Sequence, residues 1–134
     1  PVVQLSINHR LRPEDHVRIG RELAPLRDEG ILIVGSGNVT HNLRHAMTYR
    51  GRETPTWATN FDANVTSALT QHDGAELTRL TTTDDGRMAH PTPDHYFPLL
   101  YVAGASTPED RLGSPIEGFD YASLSMRAFV FSAS

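Results

Sequence analysis

Four apolar residues, Ile31-Leu-Ile-Val34, run straight into Gly35-Ser-Gly-Asn38, and that junction constrains the chain more than any other stretch. Three of the four are β-branched, the pattern of a strand covered on both faces. The two glycines then permit a tight turn that brings bare backbone against a neighbour. Asn38 and Thr40 are both competent N-caps, so a short helix is predicted to start there and run through Leu43. His41 falls just past the carboxyl end of the strand, where the loops of an open α/β sheet diverge and leave a crevice for ligands. An imidazole in that place can accept a proton, donate one or bind a metal. The plain alternative is a capping histidine with no chemistry.

The flanking chain reads as alternating elements. Val3, Leu5 and Ile7 alternate with Val2, Gln4 and Ser6, which predicts a strand over 2–7. Pro13, Glu14 and Asp15 open a helix with Val17, Leu23 and Leu26 near one face; Pro25 disturbs its last turn and Gly30 stops it. Strand, helix and strand form a βαβ unit, hence a parallel pair. Residues 44–55 read as a polar, irregular connection. Trp57, Phe61, Val65 and Leu69 recur at helical spacing from Thr56 to about His72, a stripe that belongs to the core. Thr81 to Gly86 reads as a surface loop. Thr92 and Pro93 start a helix that packs Leu99, Leu100, Val102 and Ala103 inward, with Pro98 kinking it or delaying its start. Residues 106–116 read as loop, followed by closing strands at Phe119–Tyr121 and Met126–Phe131, a hairpin around Ala122-Ser-Leu124. The expected fold is therefore α/β, one domain over 1–134, with an open, partly parallel sheet flanked by helices.

Several function classes drop out. A formal net charge of −4 and the lack of any Lys/Arg cluster argue against nucleic acid. The chain has no cysteine, so disulfides and thiolate metal sites are excluded, in keeping with a reducing cytoplasm. No apolar run approaches the ~20 residues of a membrane span. The sequence opens at Pro1, already inside a strand pattern and without an initiator methionine, which reads as processing, a trimmed chain or a missing upstream portion.

Histidines are the main chemical resource. His9, His16, His45 and His72 fall in loops or on solvated helix faces, which leaves His41, His90 and His95. His95 would occupy the first turn of its helix, and a metal ligand there is one reading. A metal needs about three convergent donors, however, and no HExxH or His-x-x-x-His spacing supplies them locally. Gly35-Ser-Gly37 lacks the lysine of a phosphate loop, and Ser36 lacks the Gly-x-Ser-x-Gly surround of a nucleophile elbow.

Gly35-Ser-Gly-Asn-Val-Thr-His-Asn-Leu-Arg44, Pro91-Thr-Pro-Asp-His-Tyr-Phe-Pro-Leu-Leu-Tyr101 and the closing Ser123-Leu-Ser-Met126 together resemble the class III extradiol ring-cleavage dioxygenases, nearest to the 4,5-DOPA dioxygenase branch. Pro1 to Ile7 and Arg27-Asp-Glu-Gly30 fit in the same order, so the resemblance spans nearly the whole chain. It implies an α/β protein that opens a catechol ring beside its two hydroxyls with O2, using one divalent metal, Fe(II) with zinc sometimes in its place. By resemblance His41 is the histidine beside the metal that moves protons, and His95 is a metal ligand. Asn38 and His90 become substrate-pocket residues; relatives carry His or Asn at the latter. The family's other ligands lie in His-Gly-Ser-Pro and Ser-Ala-His-Trp segments, and neither occurs here. The resemblance therefore implies the C-terminal half of such an enzyme, partnered by an N-terminal half or a second chain. Two rivals follow from the same residues: a zinc-dependent hydrolase or phosphorylase-like enzyme, and a non-catalytic half-domain.

Overall fold

The computed structural model describes residues 1–133. Helix α1 (Pro13–Leu23) starts at a proline, with Glu14 and Asp15 in its first turn, and passes into a 3-10 turn, Ala24–Arg27, that contains Pro25. Gly30 follows at φ 79°, a left-handed conformation open to glycine at little cost. Five more helices are α2 (Leu43–Thr48), α3 (Thr56–Thr70), α4 (Gly74–Leu80), α5 (Asp84–Ala89) and α6 (Phe97–Ala105). A 3-10 turn, Pro93–His95, leads into α6, which takes Pro98 in its first turn, so the proline delays the helix rather than kinking it. The strands are β1 (Arg111–Ile116), β2 (Phe119–Asp120), β3 (Leu124–Ser125) and β4 (Ala128–Ser132).

The core forms where the predicted stripe of α3 meets the helices that follow it. Phe61, Val65 and Leu69 pack with Leu77, Leu80 and Leu100, all essentially without exposure. Buried Tyr96 joins them and satisfies its hydroxyl by donating to the Leu77 carbonyl at 3.0 Å. Helices α1 and α6 cross in close contact. A Cβ placed on Gly20 would lie 2.2 Å from the Tyr101 carbonyl oxygen, and one on Gly104 would lie 2.2 Å from that of Val17. At both positions hydrogen is the only side chain that fits. Gly104→Ala is thus expected to destabilise the protein by about 1–3 kcal/mol, the usual cost of overpacking a closed interior. Urea midpoints of wild type and variant, read side by side, check this; an unchanged midpoint refutes it.

Several expectations about elements are corrected. The parallel pair is not present among the described residues: β1 pairs with β4 and β2 with β3, both antiparallel. Residues 2–7 and 31–34 form neither helix nor strand and lie in no sheet ladder. Ile7 packs against the core, but Val2, Val3, Leu32 and Val34 are exposed, Leu32 by 84% and Val34 by 75%. The sequence pattern calls for a covering surface, and the described residues provide none. The short helix after the glycine turn begins later than predicted, because Asn42 caps α2 by accepting the His45 N–H at 3.0 Å. The supposed loop over 81–86 holds the start of α5, where the Thr83 hydroxyl accepts the Gly86 N–H at 3.0 Å. Before it, α4 is capped by Asp73, whose carboxylate accepts the Glu76 N–H at 2.9 Å. The expected loop over 106–116 contains β1. The closing hairpin is β2–β3, turning through Tyr121 and Ala122.

Candidate active site

The glycine turn does bring bare backbone against a neighbour, and the neighbour is His95. A Cβ on Gly37 would lie 2.1 Å from the His95 carbonyl oxygen, and that same oxygen accepts the Asn38 N–H at 3.0 Å. Three residues on, the His41 N–H donates to the Ala89 carbonyl at 2.9 Å. The loop is thereby laid along the 89–95 segment by main-chain bonds at both ends. The outcome is a face-to-face pair: the His41 and His95 rings stack with centroids 3.5 Å apart and planes inclined by 19°. These two histidines, 54 residues apart in the chain, are the ones the sequence singled out.

Their surroundings make them unlike each other. Burial, then the neighbouring His95 ring, push the His41 imidazole below its ordinary value, so the neutral base is the prevailing form near pH 7. The His95 side chain is 39% exposed and lies 3.5 Å through Nε2 from the Asp94 carboxylate. The tight 3-10 turn over Pro93–His95 brings the two side chains together. Asp94 is itself held below the ordinary carboxylate range, chiefly by a hydrogen bond from Thr92.

His90 and Asn38 stand just behind the pair. The His90 Nε2–H donates to the Val39 carbonyl at 2.7 Å, while Nδ1 is buried with no hydrogen-bond partner. The Asn38 amide donates to the Ser125 carbonyl at 3.0 Å. Burial drives the His90 ring down to about 4, because a proton on Nδ1 would meet no acceptor. The unfolded chain, with an ordinary imidazole near 6.5, therefore binds a proton over this interval that the folded chain refuses. Stability is expected to be complete above about pH 6.5 and to fall toward pH 4, by up to about 3 kcal/mol from His90. His16 and His41, both also lowered, add in the same direction. Urea unfolding at several pH values isolates the His90 share, since His90→Gln keeps a donor for Val39 and should flatten the slope. An unchanged slope in that variant refutes the assignment.

Two histidines set aside on sequence grounds are in fact engaged. His16 is fully buried, with Nδ1 2.9 Å from the Tyr101 hydroxyl and its ring 4.2 Å from that of Phe97. It helps to lock α1 onto α6. The His45 Nδ1 lies 3.0 Å from the Ser123 hydroxyl. Helical phase was the available signal for His16, because it adjoins Val17 on the buried side of α1. The role of the Ser123–Ser125 turn as an anchor for the glycine loop had no signal in spacing.

One side of the loop opens into a groove of about 1180 Å³, lined by residues 31–39, by Leu99 and Val102 of α6, and by Phe129 and Phe131 of β4, with His95 on its wall. No three His, Asp or Glu side chains converge on a metal position among the described residues. The donors present fit a metal only as a contribution to it: one accessible imidazole, His95, and the Asp94 carboxylate beside it. No helix of the described residues is long and apolar enough to cross a membrane.

Known proteins share this arrangement of sequence. Residues 1–131 match the family described as the catalytic LigB subunit of aromatic ring-opening dioxygenase. The chain is 44% identical over 130 residues to a protein of Escherichia coli K12 named 4,5-DOPA dioxygenase extradiol, a match covering 94% of this chain and 48% of that one. It is 33% identical over 134 residues to a Beta vulgaris protein of the same name, covering 99% of this chain and 50% of the other. A crystal structure of an uncharacterised Escherichia coli K12 protein superposes with a TM-score of 0.89 at 42% identity, over 96% of this chain and 54% of that one. The chain thus spans about half the length of the relatives it matches. With a family match over almost all of its residues and close relatives along the same stretch, this chain belongs to the LigB family of aromatic ring-opening dioxygenases.

Proposed function

We propose that this chain forms the C-terminal half of an extradiol dioxygenase site that opens a catechol such as DOPA with O2. The observation that carries the reading is the His41–His95 stack at 3.5 Å, which joins a neutral, half-buried base to an accessible imidazole. His95 serves as one ligand of a non-haem Fe(II), with zinc able to take its place, since neutral imidazole suits either ion. When bound, such a metal supplies the Lewis acidity and open positions that bring a catechol and O2 together. His41, being neutral, takes a proton from a catechol hydroxyl and later returns it. Asn38 and His90 belong to the substrate pocket, where they back the loop that carries His41, their donors committed to Ser125 and Val39.

The remaining ligands come, in this reading, from an N-terminal half joined covalently or as a second chain. Its support is the outward-facing apolar edge, Val2, Val3, Leu32 and Val34, and the doubled length of the relatives. An extended edge with unpaired amides and carbonyls is a template for another strand. The test is oxygen uptake with DOPA and appearance of a yellow ring-opened product. The 134 residues alone should give neither and should be either poorly folded or self-associated. Fused to the N-terminal half of the Escherichia coli relative and loaded with Fe(II), they should give both. A lone chain that purifies as a stable monomer with one tightly bound iron overturns the proposal, and hydrolytic activity independent of O2 would favour the zinc hydrolase instead.

A further inference from the structure

Directly before His41 stands Thr40, fully buried and placed between the glycine loop and the Tyr121–Ser125 turn. Its hydroxyl is used twice: Oγ1 donates to the Ser123 carbonyl at 2.7 Å and accepts the Ser125 N–H at 2.7 Å. Ser125 passes the connection on, since its hydroxyl donates to Asp62 Oδ1 at 2.6 Å. The buried Asp62 is held from the other side by Arg127, whose Nε donates to Oδ2 at 2.8 Å. Asn38 adds a parallel tie to the Ser125 carbonyl.

The turn these bonds grip is not one the chain adopts freely. Tyr121 and Ala122 both have positive φ, 47° and 66°, a region that residues with a Cβ avoid and that persists only when the surroundings over-determine it. The connection therefore runs from helix α3 through Asp62 and Ser125 to Thr40, one residue before His41, which carries the proton in the reading above.

We propose that Thr40, Ser125 and Asp62 are a positioning relay that sets the His41 ring against His95; Thr40 is its final member and a positioning residue for proton transfer. Three features favour this over a purely stabilising network. The relay ends one residue from His41, and it ties together two loops remote in sequence. It also acts on a backbone whose main-chain N–H anchors, the Ala89 and His95 carbonyls, both belong to the 89–95 segment. Without the Thr40 hydroxyl the Asn38 amide is left to tie the loop to the Tyr121–Ser125 turn, and a displacement of about 1 Å at a reacting group is enough to cost on the order of 100-fold in rate.

This inference rests on His41 being the proton carrier, and its test separates the two. In the complete, metal-loaded enzyme, Thr40→Val, Thr40→Ser and Ser125→Ala are compared with His41→Ala for kcat, KM and metal content, and the variants' crystal structures report the His41–His95 separation. Thr40→Val should lower kcat about 10- to 100-fold with KM and metal content unchanged and with the rings moved apart. Thr40→Ser, which restores the hydroxyl, should recover kcat to within about twofold. Ser125→Ala keeps the backbone bond to Thr40 and cuts the hydroxyl's links to Asp62 and to the Arg127 N–H, so it should show a smaller loss of the same kind. If Thr40→Val does not fold, Thr40→Ser and Ser125→Ala carry the decision: wild-type kcat in Ser125→Ala overturns the relay. A folded Thr40→Val with wild-type kcat, or a Thr40→Ser no better than it, also overturns it. If His41→Ala turns over normally, the proton-carrier reading fails. The relay then stands or falls on the rings alone, overturned if they stay in place in Thr40→Val.

Discussion

His95→Ala is expected to strip the metal from the complete enzyme. His95 is the exposed imidazole of the stacked pair and lines the groove, whereas His41 is partly desolvated and His90 is committed to Val39. Loss of even a supporting contact to a metal typically costs 10- to 100-fold in affinity, so removal of a ligand should cost at least about 100-fold. The variant is clean because the bond from the Asn38 N–H runs to the His95 main-chain oxygen, which an alanine retains. Asp94, 3.5 Å from the imidazole, is a carboxylate near enough to stand in. Metal stoichiometry of purified His95→Ala and of the double variant with Asp94→Asn reads both effects. Undiminished metal in the single variant refutes the role of His95, and undiminished metal in both removes Asp94 as well.

His41→Ala should do the reverse: keep the metal and slow turnover about 10²- to 10⁴-fold, the usual worth of a positioned acid–base group. The pH dependence follows from the direction of its shift. Burial and the adjacent His95 ring lower the His41 imidazole, so the active neutral form appears as pH rises through a value below the ordinary 6.5. The rate of the wild type should therefore climb on the acid side and level off before neutrality, and His41→Ala should lose that acid limb. Steady-state rates from pH 5 to 8, with metal content measured in the same samples, check both statements. A variant that loses metal as completely as His95→Ala would make His41 a ligand instead.

The site was more legible in the sequence than the sheet. His41 and His95 stand beside motifs whose glycines and prolines dictate backbone shape, so their meeting follows from local chemistry: Gly37 has no Cβ to hold the loop off the His95 carbonyl. The stripe Phe61, Val65, Leu69 was equally plain, because helical spacing of large apolar residues has one economical outcome. Helices α4 and α5 were hidden by their own caps. Asp73-Gly74 and Thr83-Asp-Asp-Gly86 carry the residues that favour turns, and the same side chains that make a turn also open a helix. The alternation over 2–7 and the run over 31–34 form no strand among the described residues, because strand pairing depends on what lies alongside, and no periodicity within a segment can report that. The anchoring of the glycine loop by Ser123 and Ser125 was illegible for a different reason: it is built from main-chain atoms more than 80 residues away in sequence.

In the proposed two-half reading, the exposed stretch Ile31–Val34 would also set an order of events during synthesis. Capture of that edge by a covalently attached segment is a first-order process, driven by an effective concentration in the millimolar range for a short connection. Capture by another copy of the same edge is second order and slows as the square of dilution. A covalently continuous polypeptide therefore wins the race at any ordinary cellular level, whereas separately made halves win it only when the companion is already waiting. The exposed Leu32 and Val34 thus turn protein concentration and timing into determinants of yield.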